Sequence, residues 1–319
     1  MKGGRNEPIN RFRFENVRQY LDADITTGMD YGVNIILSRN LYGNLWRVFL
    51  NRVQGKRTIL DITDDLFVGR HEETLRERLK RRFVTKNAVK WLVQSCDAVV
   101  CSSEELRDRY ASYSRSIHYI EDAIDVDPSW KKEYTSRNPR IVWVGTSSNL
   151  YHLLPLENVL KRLQEREGVE ITLISKKSAP SNLIAYLRRD FNFRYSLCEW
   201  DLATYIPKIM ENDIAIAPIS PDNRSAAKSS NKLFTYMYHG MPVVASRIKE
   251  YERHIENGKN GYLAAREEEW YEYLLLLLRD HEKREKIGSA AREYAHGIFS
   301  VKGIADRWND VIRNVQKTT

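Results

Sequence analysis

Two lysines four residues apart, Lys228 and Lys232, stand in the run AKSSNKLFTYMYHGMPVVAS at 227–246. A separation of one turn puts both ammonium groups on one side of a helix. The flanking residues can start and stop such a helix. Ser229 and Ser230 are capping types, Gly240 is the usual stop, and Val243 to Ala245 read as a buried strand. With the helix beginning near Ser230, Lys228, Lys232, Thr235 and His239 form one stripe that faces a cleft. Leu233, Tyr236 and Met237 form the neighbouring stripe, which faces a core. The free N–H groups of Ser229, Ser230 and Asn231, the positive end of the helix dipole and two cations together suit a diphosphate. An ordinary amphipathic helix with solvated lysines has the same spacing.

Four other stretches carry matching chemistry. A strand at 140–144 runs into Gly145, Thr146 and Ser147 and then a helix at 150–166, a second backbone cradle for phosphate. Many strand-to-helix turns share that form. Trp200 follows a strand end, where it can stack on a base or pack in a core. The loop PISPDNRSAA at 218–227 leads to Lys228 and carries Arg224, either facing phosphate or solvated. Asp64 and Asp65 lie just past the strand at 58–62, on the edge where open α/β sheets bind ligands. Either carboxylate can orient an acceptor hydroxyl or take its proton; a metal pair and a helix cap are the rival uses.

The elements that must position these residues are legible as a rhythm. Short apolar runs at 33–37, 58–62, 97–101 and 117–120 alternate with helical or polar stretches, as in a parallel sheet with crossover helices. CDAVVCSSEELRDRY reads as a strand, a Ser102 or Ser103 cap, then a helix with Glu105 in its first turn. Residues 11–20 predict a helix entered through a loop. The polar stretch WKKEYTSRN at 130–138 predicts the domain linker. Beyond it come strands at 140–144, 169–174, 192–197 and 213–217, with a helix at 201–210. Pro155 marks where the helix after Gly145 properly begins. Helices at 270–278, 282–296 and 301–315 complete the chain, the last with Trp308 and Ile312 on its packing face.

The run KSSNKLFTYMYHGMPVVAS, followed by EYERHIENGKNGYLAAREEEWYEYLLLLLRDHEKREKIG, resembles the donor-binding half of glycosyltransferase family 4. The shared pattern is a lysine, a second lysine four residues on, a Tyr-Met helix, Gly-x-Pro-Val-Val-Ala-Ser, then Glu, Ile, an Asn-Gly turn and Gly-Tyr-Leu. The resemblance implies an α/β GT-B fold of two Rossmann-like domains facing across a cleft, the first of them abbreviated. It implies an acceptor-binding domain at 1–135, a donor-binding domain at 136–300, and a helix at 301–319 packing back on the first. By the same resemblance the lysines hold the nucleotide diphosphate of an activated sugar, and Gly145, Thr146, Ser147, Trp200, Arg224, Ser229, Ser230, Asn231 and Thr235 surround that donor. Asp64 serves catalysis, Asp65 and Arg39 hold the acceptor, and neither metal nor cofactor is required. The chain departs from the family at Ala227 and Thr235, where two glutamates normally stand; the second usually contacts the ribose.

Composition bounds the alternatives. The 319 residues suffice for two domains, and 42% hydrophobic and 11% aromatic content exclude general disorder. The longest aliphatic run, 274–278, is far short of the roughly 20 residues a spanning helix needs. The polar start at 2–8 lacks the apolar core of a signal peptide, which predicts a cytoplasmic protein. Three cysteines, Cys96, Cys101 and Cys198, lack metal-ligand spacing and suit a reducing compartment. The net charge of +8 concentrates at 70–90, where eight basic residues face three acidic ones with apolar residues at helical spacing. That pattern fits either a solvated helix or one resting on an anionic membrane surface.

Three functions follow as expectations. The first is a retaining transferase that moves a sugar from a nucleotide-diphosphate donor to a glycan, lipid-linked or polysaccharide-precursor hydroxyl. The second is a sugar-nucleotide or glycan-binding protein that has lost catalysis. A nucleic-acid binder ranks last, because no aromatic-basic binding motif accompanies the charge.

Overall fold

The computed structural model describes residues 11–22, 33–38, 41–68, 85–126, 132–176, 191–220 and 227–317. The chain divides into two compact units. The first comprises Met1–Asp125, Asp222–Asn231 and Phe299–Thr319, and the second Val126–Pro221 and Lys232–Ile298.

In the first unit, β1 (Val33–Leu37), β2 (Arg57–Ile62), β3 (Ala98–Cys101) and β4 (Ile117–Tyr119) pair in parallel in that spatial order. Helices α1 (Leu41–Val53), α2 (Lys86–Gln94) and α3 (Glu104–Tyr110) connect or follow them. A monotonic strand order with right-handed crossovers sends the connecting helices to one face of the sheet. Strand alternation fits this: Leu60 and Ile62 join Val48, Val89, Leu92 and Leu106 in a single core. Asp61, between them, points to the opposite face. Ser103 caps α3, accepting from the Leu106 N–H at 3.1 Å, as its sequence position suggested.

The segment at 11–20 is not the regular helix its pattern suggested. It forms two short irregular turns, Arg11–Glu15 and Arg18–Tyr20. The cause is two buried arginines. Arg13 grips Asp61 through both carboxylate oxygens at 2.7 and 3.1 Å, and Arg11 pairs with Asp125 at 2.9 Å. Burial opposes the charge on Arg13, but the carboxylates of Asp61 and Asp122 outweigh it and raise its pKa above the usual arginine value.

The second unit holds β5 (Ile141–Val144), β6 (Ile171–Ser175), β7 (Ser196–Glu199), β8 (Ile214–Ala217), β9 (Val243–Ser246) and β10 (Tyr262–Ala264). All are parallel, in the order β10-β9-β8-β5-β6-β7. Its helices are α4 (Glu157–Glu167), α5 (Tyr205–Met210), α6 (Asn231–Tyr238), α7 (Lys249–Glu252), α8 (Glu267–Arg279) and α9 (His281–Ile298). Ile141 and Trp143 face one apolar cluster and Val142 and Val144 the other, so β5 is buried on both sides. The helix expected from 150 begins as a 3₁₀ stretch, Ser147–Leu156, and becomes α-helical only at Glu157. Pro155, with no N–H to donate and a ring that crowds the preceding turn, sits where the geometry changes.

The described part of the expected linker is anchored in the second unit. Lys132 Nζ lies 3.3 Å from Asp213, the Tyr134 hydroxyl donates to the Gly240 carbonyl at 2.8 Å, and Arg284 donates to the Tyr134 and Ser136 carbonyls. Gly240 ends α6 with φ of +73°, a conformation that glycine takes without strain.

The last helix, α10 (Val301–Lys317), belongs to the first unit and packs against β1, β2 and the Arg18–Tyr20 turn. Trp308 and Ile312 are both buried, and Trp308 meets Phe14 with ring centroids 5.3 Å apart. Asn309 fastens the helix, donating to the Tyr20 carbonyl at 3.0 Å and accepting from the Asp22 N–H at 2.9 Å.

Candidate functional site

Strands are added on one side of β5 through β6 and β7, then on the other through β8, β9 and β10. The C-terminal ends of β5 and β8 therefore flank the point where strand order reverses, the preferred ligand crevice of an open parallel sheet. Gly145 lies at that point. Its N–H donates to the Ile174 carbonyl at 3.1 Å, and a Cβ at this position would come 2.6 Å from Trp143 Cζ2. Only glycine lets the backbone press so closely on the indole. Lys232 Nζ stands 4.6 Å from the centroid of the Trp143 ring, so β5 and α6 bring a cation to the same strand end. Two buried polar atoms at this edge, Trp143 Nε1 and Ser175 Oγ, have no hydrogen-bond partner among the described residues.

The surrounding loops are fixed by polar contacts. Thr146 Oγ1 and Ser148 Oγ are 3.1 Å apart. The buried His152 accepts the Ser220 N–H at Nδ1, 2.9 Å away, which ties the stretch after Gly145 to the loop after β8 and leaves the neutral ring's hydrogen on Nε2. Trp200 donates its backbone N–H to Ser175 at 3.0 Å. Its half-buried ring leans on Tyr205 at 5.5 Å and lies 5.3 Å from Lys176 Nζ. The tryptophan is thus packed against the core and still reaches the surface at this edge.

Helix α6 departs from the stripe its sequence suggested. Leu233, Tyr236 and Met237 are buried as expected, but so are Thr235 and His239, at 4% and 2% exposure. The helix is enclosed on several sides. Tyr236 accepts the Val144 N–H at 2.8 Å, Phe234 meets His254, and Tyr238 stacks on His296. Burial pushes the Tyr236 phenol far above its ordinary value, so it stays a neutral strut between α6 and β5. Thr235 consequently belongs to the packing and not to a ligand-facing stripe.

The serines before α6 also do something other than cap it. Ser229 Oγ donates to Asp122 at 2.7 Å, Asn231 Nδ2 donates to the same oxygen at 3.3 Å, and Ser230 Oγ is buried with no partner among the described residues. Asp122 in turn lies 3.4 Å from Arg13, and Ser103 Oγ donates to the Ala227 carbonyl at 2.8 Å. The segment carrying the half-buried Lys228 is therefore held, within the first unit, by a chain of buried charges. Neither Asp122 nor Trp143 was singled out from sequence. One follows a short strand with no motif of its own, and the other sits mid-strand where a tryptophan reads as core.

Past β2, Asp65 is committed to structure. Its carboxylate pairs with Arg109 at 2.7 Å, accepts the Tyr110 hydroxyl at 3.1 Å and accepts the Phe67 N–H at 2.9 Å. It is 4% exposed, so the acceptor-binding role expected of it is not supported by its surroundings. Asp64, next to it, is half-buried. Arg39, Arg224 and the basic stretch at 69–84 lie outside the described residues. Among the described residues no group of three or more His, Cys, Asp or Glu side chains is placed to hold a metal, and no helix is long and apolar enough to cross a membrane.

Comparison with known proteins places these observations. Residues 138–280 match the family described as Glycosyl transferases group 1. No curated protein matches the sequence. HepE of Anabaena, solved in complex with UDP and glucose, superposes with a TM-score of 0.66 at 16% identity, over 89% of this chain and 78% of that one. A sucrose-phosphate synthase from Thermosynechococcus elongatus gives 0.66 at 15% identity, over 91% and 75%. A variant of S. aureus TarM in complex with UDP gives 0.65 at 15% identity, over 89% of this chain and 55% of that one, so this chain spans about half of TarM's length. Over 138–280 the chain thus resembles the glycosyl transferases group 1 family, and it has the GT-B fold of its structural neighbours.

Proposed function

We propose that the chain is a glycosyltransferase that moves a sugar from a nucleotide-diphosphate donor to a hydroxyl acceptor, with retention at the anomeric carbon. The acceptor class is a glycan, a lipid-linked sugar or a polysaccharide precursor. The observation that carries the reading is the strand end where Gly145 presses on Trp143 and Lys232 stands over the same ring, at the reversal point of the sheet. The family match over 138–280 and the UDP complexes of HepE and TarM support a nucleoside diphosphate as the ligand.

In this reading the N–H groups of Thr146 and Ser147 and the ammonium of Lys232 face the phosphates with Trp200 beside the base, and Lys228, Ser229, Ser230 and Asn231 are proposed as further donor-binding residues. As the anomeric C–O bond to phosphate breaks, negative charge grows on the leaving oxygen, and fixed cations and N–H dipoles stabilise it without reorganising. The acceptor oxygen attacks from the same face, and its proton passes to the leaving phosphate. Asp64 orients that hydroxyl. The first unit supplies the acceptor side, at the cytoplasmic surface of an anionic membrane.

The test is nucleoside-diphosphate release from a panel of sugar nucleotides, with and without acceptor extracts. Replacing Lys228 and Lys232 together by alanine should lower the rate by about 100-fold or more while leaving the circular dichroism spectrum unchanged. Full activity in that double variant would remove the assignment.

One observation favours a second reading, a sugar-nucleotide-binding protein without transfer activity. Thr235 is short and buried where the resembling family places a ribose-binding glutamate. Saturable donor binding with no turnover across the panel would select it.

A further inference from the structure

Helix α1 buries one side and is apolar on the opposite one. Asn44, Val48 and Asn51 face inward and are buried; Asn44 donates to the Leu37 carbonyl at 2.7 Å and Asn51 to Thr58 Oγ1 at 3.0 Å. At about 100° per residue, Trp46, Phe49 and Val53 fall together on the side roughly 180° away. They are 61%, 47% and 68% exposed. The rings of Trp46 and Phe49 stack 5.6 Å apart at 24°, so the outward ridge is already ordered. A helix that needed only to cover its sheet would place polar residues there.

Among the described residues of α1 and α2 the charges are of one sign. Arg47 and Arg52 project on either flank of the apolar stripe, and both are exposed. Helix α2, which packs against α1, adds the exposed Lys86 and Trp91, the latter 41% exposed. The two helices together hold no aspartate or glutamate.

We propose that this outer face of α1 and α2 docks on an anionic lipid surface, with Trp46, Phe49 and Val53 entering the headgroup boundary and Arg47, Arg52 and Lys86 meeting lipid phosphates. Charge complementarity selects the occupant. A second copy of the chain would set the same arginines against one another across a two-fold contact, whereas an anionic bilayer satisfies ridge and cations at once. The inference deepens the membrane-contact part of the proposed function, moves its centre to α1 while keeping Lys86 of the basic stretch, and does not depend on donor chemistry.

Co-sedimentation of the full chain with phosphatidylcholine vesicles, with and without phosphatidylglycerol and in the absence of nucleotide, tests it. Binding should require the anionic lipid and weaken with salt. Trp46→Ser with Phe49→Ser, and separately Arg47→Glu with Arg52→Glu, should each lower binding by at least about tenfold with thermal midpoints unchanged, since all four side chains are exposed. Quenching of tryptophan fluorescence by brominated lipid should fall in Trp46→Ser. Absence of binding to anionic vesicles would overturn the inference, as would vesicle binding that both variants retain, self-association that the aromatic variant abolishes, or binding to RNA but not to lipid. Loss of vesicle binding leaves the transferase reading intact, and loss of donor turnover leaves this one intact.

Discussion

At Gly145 one hydrogen atom separates a workable turn from a clash. Gly145→Ala would push a methyl group into Trp143, which is fully buried and has no room to retreat, so stability should drop by about 1–3 kcal/mol. Because the same indole lies beneath Lys232, donor affinity should fall as well. Urea midpoints and nucleotide titration of the variant would show both effects; a neutral outcome in both would mean the strand end tolerates a side chain. At this scale spacing drew attention to residues, and the resemblance to glycosyltransferase family 4 gave them a role. A strand-Gly-hydroxyl turn and two lysines a turn apart marked Gly145 and Lys232. The sequence was silent on Trp143 and Asp122, whose importance lies in neighbours 89 and 107 positions away, Lys232 and Ser229 respectively. The same blindness made Asp65 look available, because its partner Arg109 is 44 residues distant.

Element α8 begins on a charge. Glu269 accepts from the N–H groups of Ala265 and Arg266 at 2.7 and 3.2 Å, and these bonds, with the nearby guanidinium of Arg266, hold its carboxyl below its ordinary value of 4.5. A carboxyl whose pKa is depressed by folding contributes stability above its unfolded pKa and loses that contribution as pH falls through the folded value. Glu269→Ala should therefore cost about 0.5–1 kcal/mol at neutral pH and flatten part of the decline in stability below about pH 4.5. Denaturant titrations at two pH values would reveal it, and a cost that stayed constant across that range would count against a charged cap. Strands and the long helices were legible to within a few residues, since apolar alternation and 3.6-residue periodicity survive in any environment. The exceptions have local causes. Buried Arg11 and Arg13 broke the helix at 11–20, Pro155 delayed α4, and enclosure of α6 erased its polar stripe.

Across the whole molecule, the chain returns to its first unit twice, at Asp222–Asn231 and at Phe299–Thr319. Composition carries no trace of the first return, because ten residues are too few for a shift in patterning. Among the described residues it is visible through Ser103, Asp122 and the contacts they make with Ala227, Ser229 and Asn231. The second return was expected from the family resemblance, and Trp308 and Ile312 supply the buried face of that amphipathic helix. The central claim concerns neither unit's core but the anion that the lysines hold. A ligand that binds the native state alone raises its stability with the logarithm of concentration over dissociation constant, by about 2.7 kcal/mol at a hundredfold excess. Thermal melts of the intact chain across uridine, guanosine, adenosine, cytidine and thymidine diphosphates should show one whose midpoint climbs steadily with concentration. That climb should vanish in the Lys228→Ala, Lys232→Ala double variant, measured against that variant's own ligand-free midpoint. No response to any nucleoside diphosphate, or an identical climb in the double variant, would contradict the account.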